Sequence, residues 1–230
     1  MPFGSAVVPL VNWITAVSPA PEPTTAPPEP EPVQEEAPAE PVAGGARTFV
    51  VDAAVSQASY IVNEEFFAEA LTKLGIEAGE TVVIGTTPGV TGEIQLDFNA
   101  AEIMQAAQFT VDMTGLATDQ NRRDKWLTEN AITTGVFPQA TFVATSASGL
   151  PASINDGESV NFQLTGDLTV RDVTNSVTFE VTAVLSNNTI EGTATLPLKM
   201  TDFGITPPDF ANTLTVADDF RIEVTLTARE

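Results

Sequence analysis

Arg122, Arg123 and Lys125 stand beside Trp126 and Leu127 and hold three of the nine basic residues in the chain. Such a cluster could grip a phosphate or a quinone carbonyl at the rim of a site, because guanidinium groups donate in a fork that fits paired oxygens. It could equally pair with the flanking acids Asp119, Asp124 and Glu129, with Arg123 and Asp124 forming a structural pair that fixes a loop. The chain has no histidine and no cysteine, which excludes imidazole and thiol catalysis, disulfides and Cys/His metal clusters. Proton transfer would fall to Asp, Glu, Lys or the single tyrosine, Tyr60. Asp218-Asp219 offers two carboxylates, but neighbours on a strand face opposite sides. Gly85, Gly89 and Gly92 lack the spacing of a phosphate-binding loop. Asp156-Gly157-Glu158 lacks the alternating acids of a calcium loop, and Asn187-Asn188-Thr189 fits a glycosylation sequon that arises often by chance. No catalytic or metal constellation emerges, so the expectation is a protein that is not an enzyme and needs no cofactor.

The whole chain, 230 residues with 31 acidic side chains, has a formal charge of −22. That charge repels phosphate backbones and anionic lipid surfaces over about a Debye length, about 8 Å at physiological salt, so nucleic acid is not an expected partner. From Pro19 to Pro41 the sequence places nine prolines and six glutamates, leaving little to bury. Residues 19–46 therefore read as a stiff, disordered Pro/Glu-rich linker. Residues 1–18 are mostly apolar but are interrupted by Pro9 and Asn12, have no Lys or Arg ahead of them, and are too short to span a bilayer. They read as the remnant of an export or anchor segment, or else as a disordered tail. The first reading implies an extracytoplasmic domain, periplasmic, secreted or tethered to a membrane through that segment only.

The remaining span, 47–230, must supply the elements that position any site. Apolar residues alternate with polar ones at Phe49 and Val51, at Ala58, Tyr60 and Val62, at Ile94, Leu96 and Phe98, and at Phe109, Val111 and Met113. Longer runs follow over Val160–Val170, Val177–Leu185, Ile190–Leu198 and Phe220–Leu226. Each run has one buried and one wet face. Asn155-Asp156-Gly157 and Ser186-Asn187-Asn188 supply turn residues that tolerate positive φ. About eight such strands predict a single antiparallel barrel or sandwich, since parallel strands would need crossover helices, and closure removes exposed edges. Two segments depart from the pattern. Phe67, Leu71 and Leu74 recur at helical spacing over residues 64–74, with Asn63 as cap and Gly75 as stop, which predicts a short amphipathic helix that serves as lid or plug. Asn121 to Thr128 predicts a helical turn with a positive face.

These residues resemble the YceI-like, polyisoprenoid-binding domain family. The likeness is carried by Phe49-Val50-Val51-Asp52 with Ser56 and Tyr60, and by Gly92-Glu93-Ile94-Gln95-Leu96-Asp97. It continues through Asn121, Arg123-Asp124, Leu127, Phe137-Pro138 and Thr141-Phe142. The Gly166-Asp167-Leu168-Thr169-Val170 run leading into Val173-Thr174, Val177 and Phe179 looks like the family's signature, and Asp202-Phe203-Gly204 and Asp219–Leu226 complete it. The resemblance implies an all-β, lipocalin-like barrel with one or two short helices, exported in many bacteria, whose interior holds a polyprenyl or isoprenoid-quinone chain. It implies no catalytic residues. The lumen positions it suggests are Tyr60, Val62, Leu96, Phe109, Val111, Phe142, Phe162, Leu164, Phe179, Leu196, Ile222 and Val224. Two departures stand out: Asn63 occupies a position where members often carry histidine, and the link through Gly85-Thr86-Thr87-Pro88-Gly89 is lengthened. A barrel of about eight strands is either filled by side chains or holds one ligand. The alternative to a lipid carrier is therefore a surface structural or interaction domain with a filled interior.

Overall fold

The computed structural model describes residues 44–67, 79–210 and 213–230. Eleven strands follow in order: β1 (Ala46–Val51), β2 (Gln57–Phe66), β3 (Gly79–Thr87), β4 (Val90–Asp97), β5 (Met104–Asp112), β6 (Gln139–Ser148), β7 (Ser159–Val170), β8 (Val173–Ser186), β9 (Thr189–Lys199), β10 (Asp209–Phe210) and β11 (Leu214–Arg229). Hydrogen bonding runs β1-β4-β5-β6-β7-β8-β9-β11, and the β1–β11 pairing closes these eight into an antiparallel barrel.

Two wall elements are each broken into halves. β11 pairs β9 along one edge, while its other edge carries β2 opposite Leu214–Thr225 and then β1 opposite Ala228 and Arg229. Beside them, β3 pairs β2 and β4 pairs β1. A buried hydroxyl sits at each break. The Ser56 hydroxyl accepts from the Thr227 N–H at 3.1 Å, and the Thr87 hydroxyl donates to the Asp112 carbonyl at 2.7 Å. These bonds replace ladder pairings that the chain's detours remove, so the backbone there is not left unsatisfied.

The expected hairpin turn falls in place: Ser186 pairs Thr189 across Asn187, whose φ is 53°. The helical turn at Asn121 is also present, as α1 (Asn121–Trp126) running into a wider turn over Leu127–Ala131. The helix expected over 64–74 is not supported where it is described, because Glu64–Phe66 continue β2 and the Phe67 N–H donates to the Thr213 carbonyl. Leu71 and Leu74 lie outside the described residues. Gly85–Thr87, expected in a loop, belong to β3.

The core forms three groups. Phe49, Val90, Ile94, Leu185, Ile190 and Ala228 pack toward one end of the barrel. Phe142, Leu164, Leu168, Phe179, Leu196 and Phe203 fill a flank. Leu116, Ala131 and Ile132 close the other end with Tyr60, Trp126 and Leu127 against them.

Candidate functional site

Inside the barrel the described residues enclose a cavity of about 260 Å³. Its lining reaches from Leu150, Ile154, Leu185 and Ile190 at one end to Met113, Leu116, Leu127 and Ile132 at the other, so it follows the barrel's length. Alternation along the strands explains its character: each wall strand sends every second side chain inward, and those positions are almost all aliphatic or aromatic. Phe109, Phe142 and Phe179 form its aromatic wall, with Phe109 stacked on Phe142 at 6.5 Å and Phe179 edge-on to Phe142 at 5.1 Å. Gly166 makes room for them, since a Cβ there would lie 2.6 Å from the Phe142 Cζ.

Of the sequence-suggested lumen positions, Tyr60, Leu96, Phe109, Val111, Phe142, Phe162, Leu164, Phe179, Ile222 and Val224 line this cavity. Val62 and Leu196 do not. Val62 is buried on β2 between Tyr60, the last residue of that strand to reach the cavity, and Glu64. Leu196 packs into the flank around Phe203, beyond Ala194, where β9's contribution to the lining stops.

The segment between β5 and β6 caps one end. Asp112 starts it by accepting from the Thr114 hydroxyl at 2.6 Å and the Thr114 N–H at 2.8 Å, bonds that hold the Asp112 carboxyl below its ordinary range. Ala117 exchanges two backbone hydrogen bonds with Thr86 on β3, at 2.8 and 3.0 Å. From α1, Arg123 donates to both carboxylate oxygens of Glu64 on β2, each at 3.0 Å, and also to Asp119. Its side chain is 13% exposed and that of Glu64 only 7%, so the pair is a buried clasp. Burial disfavours the Arg123 charge, but the bonds to Glu64 and Asp119 outweigh it and raise its pKa.

The expected Arg123–Asp124 pairing is replaced by this clasp; Asp124 instead accepts from the Thr118 N–H at 2.8 Å and from its hydroxyl at 2.6 Å. Lys125 makes a long, exposed contact with Glu129 at 3.8 Å, and Arg122 is exposed. The three bases do not converge. Glu64 is the residue that sequence reading missed, and its signal is parity: Ala58, Tyr60, Val62 and Glu64 share the inward face of β2.

Tyr60 lies under this cap. Its direct partner across the β2–β3 ladder is Gly85, where a Cβ would sit 2.1 Å from the tyrosine Cε1. Only the missing side chain lets the phenol ring lie against β3. Burial is the main cause that raises the Tyr60 pKa above 10.0, with Arg123 opposing it and Glu64, Asp124 and Asp119 adding to it. The hydroxyl is therefore a neutral donor at any physiological pH. Among the described residues, no group of acids is arranged to hold a metal ion, and no helix is long and apolar enough to cross a membrane.

An antiparallel barrel closed by eight strands around an apolar lumen defines the class. Residues 49–228 match the YceI-like domain model, and the chain belongs to that family. Among solved structures it is similar to BcnA of Burkholderia cenocepacia, at 22% identity and a TM-score of 0.56, covering 77% of this chain and 98% of that one. A polyisoprenoid-binding domain from Saccharophagus degradans, implicated in plant cell wall breakdown, aligns at 12% identity and a TM-score of 0.56, covering 79% and 97%. A YceI protein of Campylobacter jejuni aligns at 17% identity and a TM-score of 0.51, covering 64% and 84%. A comparison with curated proteins gives no significant match. These likenesses agree on the fold.

Proposed function

We propose that this protein is a non-enzymatic carrier that holds one long apolar chain, of the polyprenyl or isoprenoid-quinone type, inside its barrel. The observation that carries this reading is the apolar cavity that the described residues enclose along the barrel's length, where a filled barrel would have side chains meeting across the axis. Burying a few hundred Å² of hydrocarbon there contributes several kcal/mol, at about 25 cal/mol per Å², before ordering costs. The lining has one titratable side chain, Tyr60, which is poorly suited to acid–base work because burial keeps it protonated. Family membership and the likeness to a domain described as polyisoprenoid-binding support the same ligand class.

The domain plan that suits this function has an apolar segment at 1–18, a Pro/Glu-rich linker at 19–46 and the barrel at 47–230. It suits a domain held outside the cytoplasm, where a water-soluble shell is needed to move an insoluble chain. Mass spectrometry of organic extracts of protein purified from its native host tests the reading. An isoprenoid-type lipid near one per protein is expected in the wild type and is lost in Ala194→Trp, which fills the lumen. Clean extracts from a folded wild type would refute it.

A further inference from the structure

Tyr60 lines the lumen, yet its hydroxyl oxygen is shielded from water and has no hydrogen-bond partner among the described residues. The lumen hydroxyls nearest it on β2 and β3 are engaged. Ser59 bonds Thr86 at 2.9 Å, and Thr87 donates to the Asp112 carbonyl while accepting from the Gly89 N–H. A buried donor left unpaired is a net cost to the fold, and phenylalanine would fill the same space without it. The wall also gives up a side chain at Gly85 to admit this ring. Two local concessions thus hold one phenol at the capped end of an otherwise greasy slot. Where a residue breaks the local rules of packing, function is the usual reason.

The charges around it restrict what it can meet. The cation that acts on Tyr60 is Arg123, and it already donates four hydrogen bonds, to Glu64, Asp119 and Thr118. Around that cation stand three carboxylates, Glu64, Asp119 and Asp124, so a phosphate brought to Tyr60 meets acids and a guanidinium that is already paired.

Resting on the carrier reading above, we infer that Tyr60 is the head-group residue of the lumen: its hydroxyl donates a hydrogen bond to a neutral oxygen acceptor, a carbonyl at the end of the bound chain, while the acids of the clasp reject anionic heads. Because the hydroxyl oxygen is shielded, the ring must turn slightly for a carbonyl to reach it, and the bond then formed meets no competing water, which strengthens it.

The test measures binding of three probes with the same geranylgeranyl chain to the full protein: a naphthoquinone, the plain hydrocarbon and the monophosphate. The wild type should favour the quinone over the hydrocarbon by about 3- to 10-fold, the net worth of one such hydrogen bond, and bind the phosphate most weakly. Tyr60→Phe should lose that preference, leave hydrocarbon affinity unchanged, and melt at the same temperature or higher because the orphaned hydroxyl is gone. Tightest binding of the phosphate overturns the inference, as does a wild type that shows no quinone preference. So does a Tyr60→Phe variant that retains the preference or weakens quinone and hydrocarbon together. Failure of all three probes to bind a folded wild type overturns the carrier reading as well, which separates the two failures.

Discussion

Each end of this barrel is tied by one arginine, and the two ties differ in kind. At the end where β8 turns into β9, Arg47 donates to Glu230 at 2.7 Å and to the Asn187 carbonyl at 2.9 Å, with its guanidinium over the Phe49 ring at 4.8 Å. It joins groups that the strands already bring together, and its carboxylate partner is 37% exposed. At the other end the wall does not close on itself. The segment between β5 and β6 crosses it, and Arg123 reaches from α1 to a carboxylate buried on the inward face of β2. One end is finished by the wall, the other by an inserted cap pinned with a sealed charge pair. A buried pair adds little net stability when whole and costs a great deal when half of it is removed, so the cap's attachment is close to all-or-none.

That contrast sets the order of expected effects. Arg123→Ala strands the Glu64 carboxylate and should cost about 3–5 kcal/mol in urea denaturation, and adding Glu64→Leu should recover much of the loss. A cost no larger than that of Arg47→Ala would erase the distinction between the ends. Gly85→Ala drives a Cβ into the Tyr60 ring and should cost about 1–3 kcal/mol by overpacking. The same substitution combined with Tyr60→Leu should cost less than Gly85→Ala alone, and equal losses would show that the two residues are not in conflict. Arg47→Ala removes a partly exposed ion pair and a ring contact, for about 1 kcal/mol, and the deficit should shrink in high salt. The smallest effect lies in pH. The folded chain holds the Tyr60 phenol above its ordinary value, so the stability tied to its proton is full below about pH 10, where phenols titrate in an unfolded chain, and fades as pH rises beyond it. Melting temperature should therefore fall less steeply above pH 10 in Tyr60→Phe than in the wild type, and parallel slopes would count against a buried phenol.

Much of the wall is legible in the sequence because period-two alternation directly reports a half-buried strand. The long runs at Val160–Val170 and Val177–Leu185 sit within β7 and β8. β3 escaped notice because its apolar residues fall on both faces: Val82 and Ile84 face outward, 60% and 55% exposed, while Val83 is buried and Gly85 and Thr87 share its inward face. β6 escaped because its inward residues apart from Phe142 are small and a bulge between Ala144 and Ser146 switches its parity midway. The reading of residues 64–66 as helix failed for a related reason, since the acids that resemble a helix's first turn include Glu64, which serves as the buried partner of Arg123. Lumen positions followed parity with two exceptions, Val62 and Leu196, because parity says which way a side chain points and not where along the axis the open space ends. The clasp joins residues 59 positions apart, a pairing that no local pattern encodes.

β11 has a consequence for when the lumen can be filled. This one strand bonds β9 on one side and β2 and β1 on the other, so Val50 waits for Arg229 before the ring is complete. Pairings that distant in sequence form late and slowly. Until they do, the interior is an open, wet trough with nothing to enclose a hydrocarbon. On the carrier reading proposed above, the passenger therefore boards a finished vessel, and a chain still being synthesised cannot collect its lipid on the way.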